Sequence, residues 1–160
     1  MSVRRFLVDS AATEALGAEL ADALPSRAVV YLHGELGAGK STLARAMLRR
    51  LGVSGAIKSP TYTLVERYPV AGGEAAHLDL YRLAAAEELD FLGLDELAIA
   101  ARLWLIEWPE RGLAHLPAPD LDLRLALSGQ GREIGFEARS AVGQAWLASL
   151  NAGRGFGGVS

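Results

Sequence analysis

The stretch Gly34-Glu35-Leu36-Gly37-Ala38-Gly39-Lys40-Ser41 constrains this chain more than any other. It matches G-x-x-x-x-G-K-[ST] at every fixed position. Gly34, Gly37 and Gly39 let the main chain curl tightly and turn its N–H groups into one small bowl. A polyphosphate needs such a bowl. Lys40 adds a mobile positive charge that can reach the β- and γ-phosphates, and the Ser41 hydroxyl is placed to ligate Mg²⁺. The helix that follows turns its positive end toward the same phosphates. Context supports the match. Val29-Val30-Tyr31-Leu32 is a short apolar run suited to a buried parallel strand. Leu43, Ala44, Met47, Leu48 and Leu51 then share one helical face, and Gly52 stands where a helix ends. The chain has only two lysines, Lys40 and Lys58, so a chance match is the poorer reading. Strand, loop and helix together imply a nucleoside triphosphate site.

At 160 residues the chain is long enough for one domain with a real core, expected over residues 1–150. The formal net charge of −3 gives no general attraction to nucleic acid or an anionic membrane. Without cysteine there are no disulfides and no thiolate metal sites. The apolar start turns polar at Asp9, too soon for a signal peptide, and no run approaches the roughly 20 apolar residues needed to span a bilayer. A cytoplasmic protein without membrane contact is the expectation.

Residues 3–8 read as a first strand, and Asp9 with Ser10 as the cap of a helix turning Ala12, Leu16, Leu20, Ala23 and Leu24 inward. Pro25 stops that helix. Residues 61–68 and 75–81 read as strands joined by an Ala71-Gly72-Gly73-Glu74 turn. Residues 84–92 and 94–101 predict two short helices. Leu103-Trp104-Leu105-Ile106 is a strand buried on both faces, ending in Glu107. Alternation at Leu121, Leu123, Leu125 and Leu127, and again at Ile134, Phe136 and Ala138, predicts a second hairpin. A closing helix is expected over 141–150, anchored by Trp146, and a disordered glycine-rich tail over 151–160.

Hydrolysis needs a carboxylate beside the metal and a group that positions water. Glu107 and Asp79 are the two candidates. Glu107 directly follows four large apolar residues, and Asp79 lies in the apolar-flanked run Ala76-His77-Leu78-Asp79-Leu80. Thr61 sits on a loop that could close over the γ-phosphate; an ordinary threonine at a strand start is as good a reading. His33, His77 and His115 show no metal-ligand spacing, and His33 is better read as packing or hydrogen-bonding. Trp108 suits packing, or stacking on a base or partner. Arg67, Arg82 and Arg111 are the cations that could neutralise transferred charge, though surface arginine is the commoner case.

Four segments in this order carry a resemblance: the glycine-rich loop, Lys58-Ser59-Pro60-Thr61-Tyr62-Thr63-Leu64-Val65-Glu66, His77-Leu78-Asp79-Leu80-Tyr81-Arg82-Leu83, and Ile106-Glu107-Trp108-Pro109-Glu110. Together they resemble the TsaE (YjeE) family, the small bacterial ATPases of tRNA threonylcarbamoyladenosine synthesis. The likeness runs from Phe6 to about Leu150. It implies an α/β, P-loop NTPase-like three-layer fold with a mixed central sheet of about seven strands. It also implies ATP and Mg²⁺ as cofactors, and ATP hydrolysis that is slow alone and stimulated in a complex with TsaD and TsaB. TsaD transfers the threonylcarbamoyl group to the adenosine next to the anticodon of ANN-decoding tRNAs. The ATPase resets the complex and meets tRNA only through it. Carried to matching positions, Gly37, Ala38, Gly39, Lys40, Ser41 and Thr42 hold the phosphates, and Ser41 with Glu107 binds Mg²⁺. Thr61 belongs to a switch-like segment, and Asp79, Glu107 and Trp108 are needed for activity. The adenine end points to Ser10 and to the Gly129-Gln130-Gly131-Arg132 turn, with Gly131 the contact. Two departures stand out: many members carry an acid at Ser10, and many read Lys-Thr-Thr where this chain reads Lys-Ser-Thr.

Rival classes fit less well. A small-molecule P-loop kinase usually needs an arginine-bearing lid, and residues 112–119 contain no arginine. A regulatory GTPase needs N-K-x-D, and the only asparagine is Asn151. A nucleotide-gated binding subunit overlaps with the family reading.

Overall fold

A computed structural model of the chain describes residues 2–154, with the side chains of residues 2–150. The two most apolar runs lie at the centre of the sheet. β2 (Ala28–His33) and β5 (Ala101–Glu107) pair in parallel, and both are almost wholly buried. β4 (Gly73–Asp79) runs parallel on the far side of β5, and β6 (Leu121–Ser128) parallel on the far side of β2. Antiparallel strands complete both flanks. β3 (Val65–Val70) forms a hairpin with β4, β7 (Gly131–Ala138) one with β6, and β1 (Ser2–Leu7) pairs with β7. The result is a seven-stranded mixed sheet in the order β1-β7-β6-β2-β5-β4-β3.

Helices cover both faces. Asp9 caps α1 (Ser10–Asp22) by accepting the Ala12 N–H at 2.9 Å, which points Leu16 and Leu20 into the core. α1 packs closely on α2 (Lys40–Arg50) because Gly17 has no side chain: a Cβ there would lie 2.5 Å from that of Ala46. α4 (Ala141–Arg154) lies on the same side, its Trp146 1% exposed and donating its indole N–H to Leu20 O at 3.2 Å. These helices bury Val30, Leu32, Leu105, Leu123 and Phe136. The alternate residues Tyr31 of β2 and Trp104 and Ile106 of β5 pack on the other face with Leu78 of β4, Leu89, and Leu97 of α3 (Leu94–Ala100). Period-two alternation thus builds two cores from one sheet. No helix among the described residues is long and apolar enough to cross a membrane.

Four local readings change. β3 begins at Val65 instead of residue 61, because Leu64 turns left-handed (φ 68°) and donates its N–H to Pro60 O at 2.9 Å. Residues 61–63 form a turn. β4 ends at Asp79 because that carboxylate accepts the Tyr81 N–H at 3.0 Å and turns the chain. The helix expected over 84–92 is the 3-10 segment Ala86–Phe91, its start held by Glu88 accepting the N–H groups of Ala84 and Ala85, each at 2.8 Å. α4 continues to Arg154, past the end read from sequence; residues 155–160, the rest of the expected tail, lie outside the described residues.

Candidate functional site

The carboxyl ends of the central parallel strands meet at one place, as ligand crevices do in open α/β sheets. β2 runs into the glycine-rich loop, β5 ends in Glu107 and β4 ends in Asp79. Register brings them level: Glu107 lies opposite Leu32 on one side and Asp79 on the other. The loop depends on glycine where it bends hardest. Gly39 has φ 106° directly before α2, and at Gly34 (φ 146°) a Cβ would meet Leu125 O at 2.5 Å.

Lys40 is buried. Its Nζ donates to Gly34 O, and to Glu35 O at 3.2 Å, and lies 4.4 Å from the centre of the Trp108 ring. Burial pushes its ammonium below the ordinary lysine value, while the charges of Glu107, Asp79, Glu110 and Glu35 act the other way. Ser41 Oγ donates toward both carboxylate oxygens of Glu107, at 3.1 and 3.3 Å. Glu107 is 2% exposed and also receives His77 Nε2 at 2.7 Å. Trp108 holds a left-handed backbone (φ 57°), rare for a bulky residue. Its ring lies 5.1 Å from that of Tyr81, over which the Arg111 guanidinium sits at 5.4 Å.

These groups surround a cavity of about 260 Å³ lined by Gly37, Ala38, Gly39, Lys40, Ser41, Thr42, Ser59, Thr61, Asp79, Glu107, Trp108 and Arg132. A second cavity, of about 240 Å³, shares Gly39, Thr42 and Arg132 with the first and adds Asp9, Ser10, Thr13, Gln130 and Gly131. Every site residue read from the sequence therefore lines one of two adjoining cavities. The arginines Arg67, Arg82 and Arg111 line neither. Arg67 is occupied by Glu74 and Glu96, and Arg82 lies over the Tyr62 ring at 4.7 Å. His33 hydrogen-bonds Asp122 at 2.6 Å, in line with the hydrogen-bonding reading of that residue.

Two contacts escaped the sequence reading. Arg132 donates to Ala38 O and Gly37 O, both at 3.1 Å, across 94 and 95 residues. With Ala38 O turned toward Arg132, the Gly39 N–H points the other way across the trans peptide. Nothing in the spacing announces this pair. The His77–Glu107 contact had a partial signal: His77 and Asp79, two apart in a strand, share a face.

Burial pushes the Asp79 carboxyl above its ordinary value; the Tyr81 N–H pulls it back, and the charge of Glu107 raises it further. Between the ordinary carboxylate value of about 3.9 and the higher folded one, the native state keeps a proton the unfolded chain has lost. Stability therefore falls as pH rises through that window and stays lower above it. Asp79→Asn keeps an acceptor for the Tyr81 N–H without the charge. It should melt at a higher temperature than the parent near neutral pH, and the difference should vanish below the ordinary carboxylate range. Thermal unfolding across pH, without nucleotide or divalent cation, checks this; an asparagine variant less stable at neutral pH contradicts it.

The family model "Threonylcarbamoyl adenosine biosynthesis protein TsaE" matches residues 7–134. A tRNA threonylcarbamoyladenosine biosynthesis protein TsaE of Haemophilus influenzae is 46% identical over 116 residues, 72% of this chain and 73% of that protein. Its counterpart in Synechocystis is 42% identical over 124 residues, 73% of this chain and 76% of that protein. The crystal structure of YdiB from Bacillus subtilis superposes with a TM-score of 0.79 at 26% identity, covering 96% of each chain. The chain belongs to the TsaE family of tRNA threonylcarbamoyladenosine biosynthesis proteins.

Proposed function

We propose that this chain binds Mg²⁺ and ATP and hydrolyses the γ-phosphate, slowly alone and faster with TsaB and TsaD, in the cytoplasm. Its ATP cycle resets that complex between rounds of tRNA modification. The observation that carries this reading is the meeting of Lys40, Ser41, Asp79 and Glu107 on one cavity.

The roles follow from chemistry. Lys40 must leave its loop carbonyls and the Trp108 face to reach the phosphates, and a phosphate oxyanion is the better partner for a buried ammonium. Backbone N–H groups at the start of α2 take the β-phosphate. The donor set of Ser41 hydroxyl and Glu107 carboxylate, 3.1 Å apart, is hard oxygen throughout and fits Mg²⁺, which keeps its remaining places for phosphate oxygens and water. When bound, the ion neutralises charge on the transferring phosphoryl group. Asp79 faces the same cavity and orients the attacking water, and Thr61 closes from the loop side. The second cavity, at Ser10 and Gly131, takes the adenine end.

Calorimetry and turnover test this together. Lys40→Ala should lose measurable ATP binding, whereas Glu107→Ala should bind ATP and lose turnover by about 100-fold or more, the scale of losing one preorganised electrostatic contact. Unchanged affinity in the first would refute the phosphate assignment; normal turnover in the second would move the metal carboxylate to Asp79.

The complex has its own test. The purified chain should be retained on immobilised TsaB–TsaD with ATP and released with ADP. Retention indifferent to nucleotide would contradict the resetting role, and efficient phosphorylation of a small metabolite by the chain alone would favour a kinase.

A further inference from the structure

His77 is a buried, titratable side chain that the mechanism above leaves unused. It lies in β4 at 1% exposure, in a strand that otherwise carries Ala75, Ala76 and Leu78 toward the core. A polar ring in such a place loses its water and must recover the cost through hydrogen bonds. It makes one: Nε2 lies 2.7 Å from Glu107 Oε2. The other ring nitrogen, Nδ1, is buried with no hydrogen-bond partner among the described residues. Simple packing would be better served by leucine at this site. The polar ring makes sense through Glu107.

Glu107 is itself 2% exposed, held between two hydrogen bonds from different elements. Ser41 reaches it from the first turn of α2, and His77 from β4. A carboxylate only accepts, so the shared hydrogen sits on His77 Nε2. With one oxygen fixed by an imidazole that cannot rotate in its core position, the plane of the carboxylate is fixed too. We propose that His77 is a positioning residue: its Nε2–H pins Oε2 of Glu107 so that the carboxylate presents itself, beside Ser41, to the divalent cation of a bound nucleotide. This rests on the reading of Ser41 and Glu107 as Mg²⁺ ligands. Groups that hold a metal's ligands in this way commonly set affinity for the ion without touching it.

The test is the Mg²⁺ dependence of ATP binding, measured by calorimetry on the parent chain and on His77→Leu, His77→Asn, His77→Gln and Glu107→Gln, with thermal unfolding as the check of fold. The glutamine side-chain amide reaches about as far as Nε2, whereas that of asparagine stops near Nδ1. Without Mg²⁺, all His77 variants should bind ATP like the parent. His77→Leu and His77→Asn should need roughly ten- to a hundred-fold more Mg²⁺ for the same gain in affinity, and His77→Gln should restore most of the response. A parent-like Mg²⁺ response in His77→Leu overturns the proposal, as does a glutamine variant no better than asparagine. If the leucine variant does not fold, the glutamine–asparagine comparison decides alone. A Mg²⁺ response that Glu107→Gln removes and His77→Leu keeps would sink the positioning role while sparing the metal reading. A parent chain indifferent to Mg²⁺, or a Glu107→Gln variant with the full response, would remove the metal reading and the proposal with it.

Discussion

A carboxylate held out of water at the end of the central strand is the constraint on which this structure depends. Moving an ion of that size into a protein interior costs several kcal/mol even after relaxation. Glu107 meets that cost with hydrogen bonds from Ser41 and His77 and with the nearby charge of Lys40; among the described residues no lysine or arginine forms a direct ion pair with it. Those partners come from two other elements, Lys40 and Ser41 from α2 and His77 from β4. The parallel pairing of β2, β5 and β4 is therefore what makes the site: a slip of one residue would turn Glu107 to the opposite face of the sheet. Fold and site rest on the same register.

A second tension lies in the loop. Lys40 is drawn onto its own backbone carbonyls and onto the Trp108 ring, which a left-handed backbone at residue 108 presents to it. Such a conformation costs about 1–3 kcal/mol for a residue other than glycine. From there a line of rings and cations runs outward through Tyr81 to Arg111. Under the proposed function, a γ-phosphate that recruits Lys40 removes the charge at one end of that line. The state of the nucleotide is then expressed in side chains well beyond the phosphates.

Much of this was legible in the sequence because it is local. The glycine-rich loop declares itself through spacing, β5 through an unbroken apolar run before Glu107, and both hairpins through turn residues between alternating strands. Asp79 and Thr61 were candidates from the residues themselves, Ser10 and Gly131 through family likeness, and all four line the two cavities at the loop. What stayed hidden is non-local or governed by a single hydrogen bond. The seating of Arg132 on the loop joins residues 94 positions apart. The late start of β3 reflects the left-handed turn at Leu64, whose N–H bonds back to Pro60 O and holds residues 61–63 in a turn despite the strand preference of Thr61 and Thr63. The 3-10 segment at Ala86–Phe91 reflects Glu88 folding back on two N–H groups, a contact that helical periodicity does not register.

Under the proposed function, Lys40 exchanges its own loop for a triphosphate while Ser41 and Glu107 stay together beside it. A crystal structure with Mg²⁺ and a non-hydrolysable ATP analogue tests this most directly. In it, Lys40 Nζ should be lifted from Gly34 O and from the Trp108 ring and bonded to the β- and γ-phosphates, with Ser41 and Glu107 holding the metal. A nucleotide bound elsewhere, with Lys40 still resting on Trp108, would contradict that exchange.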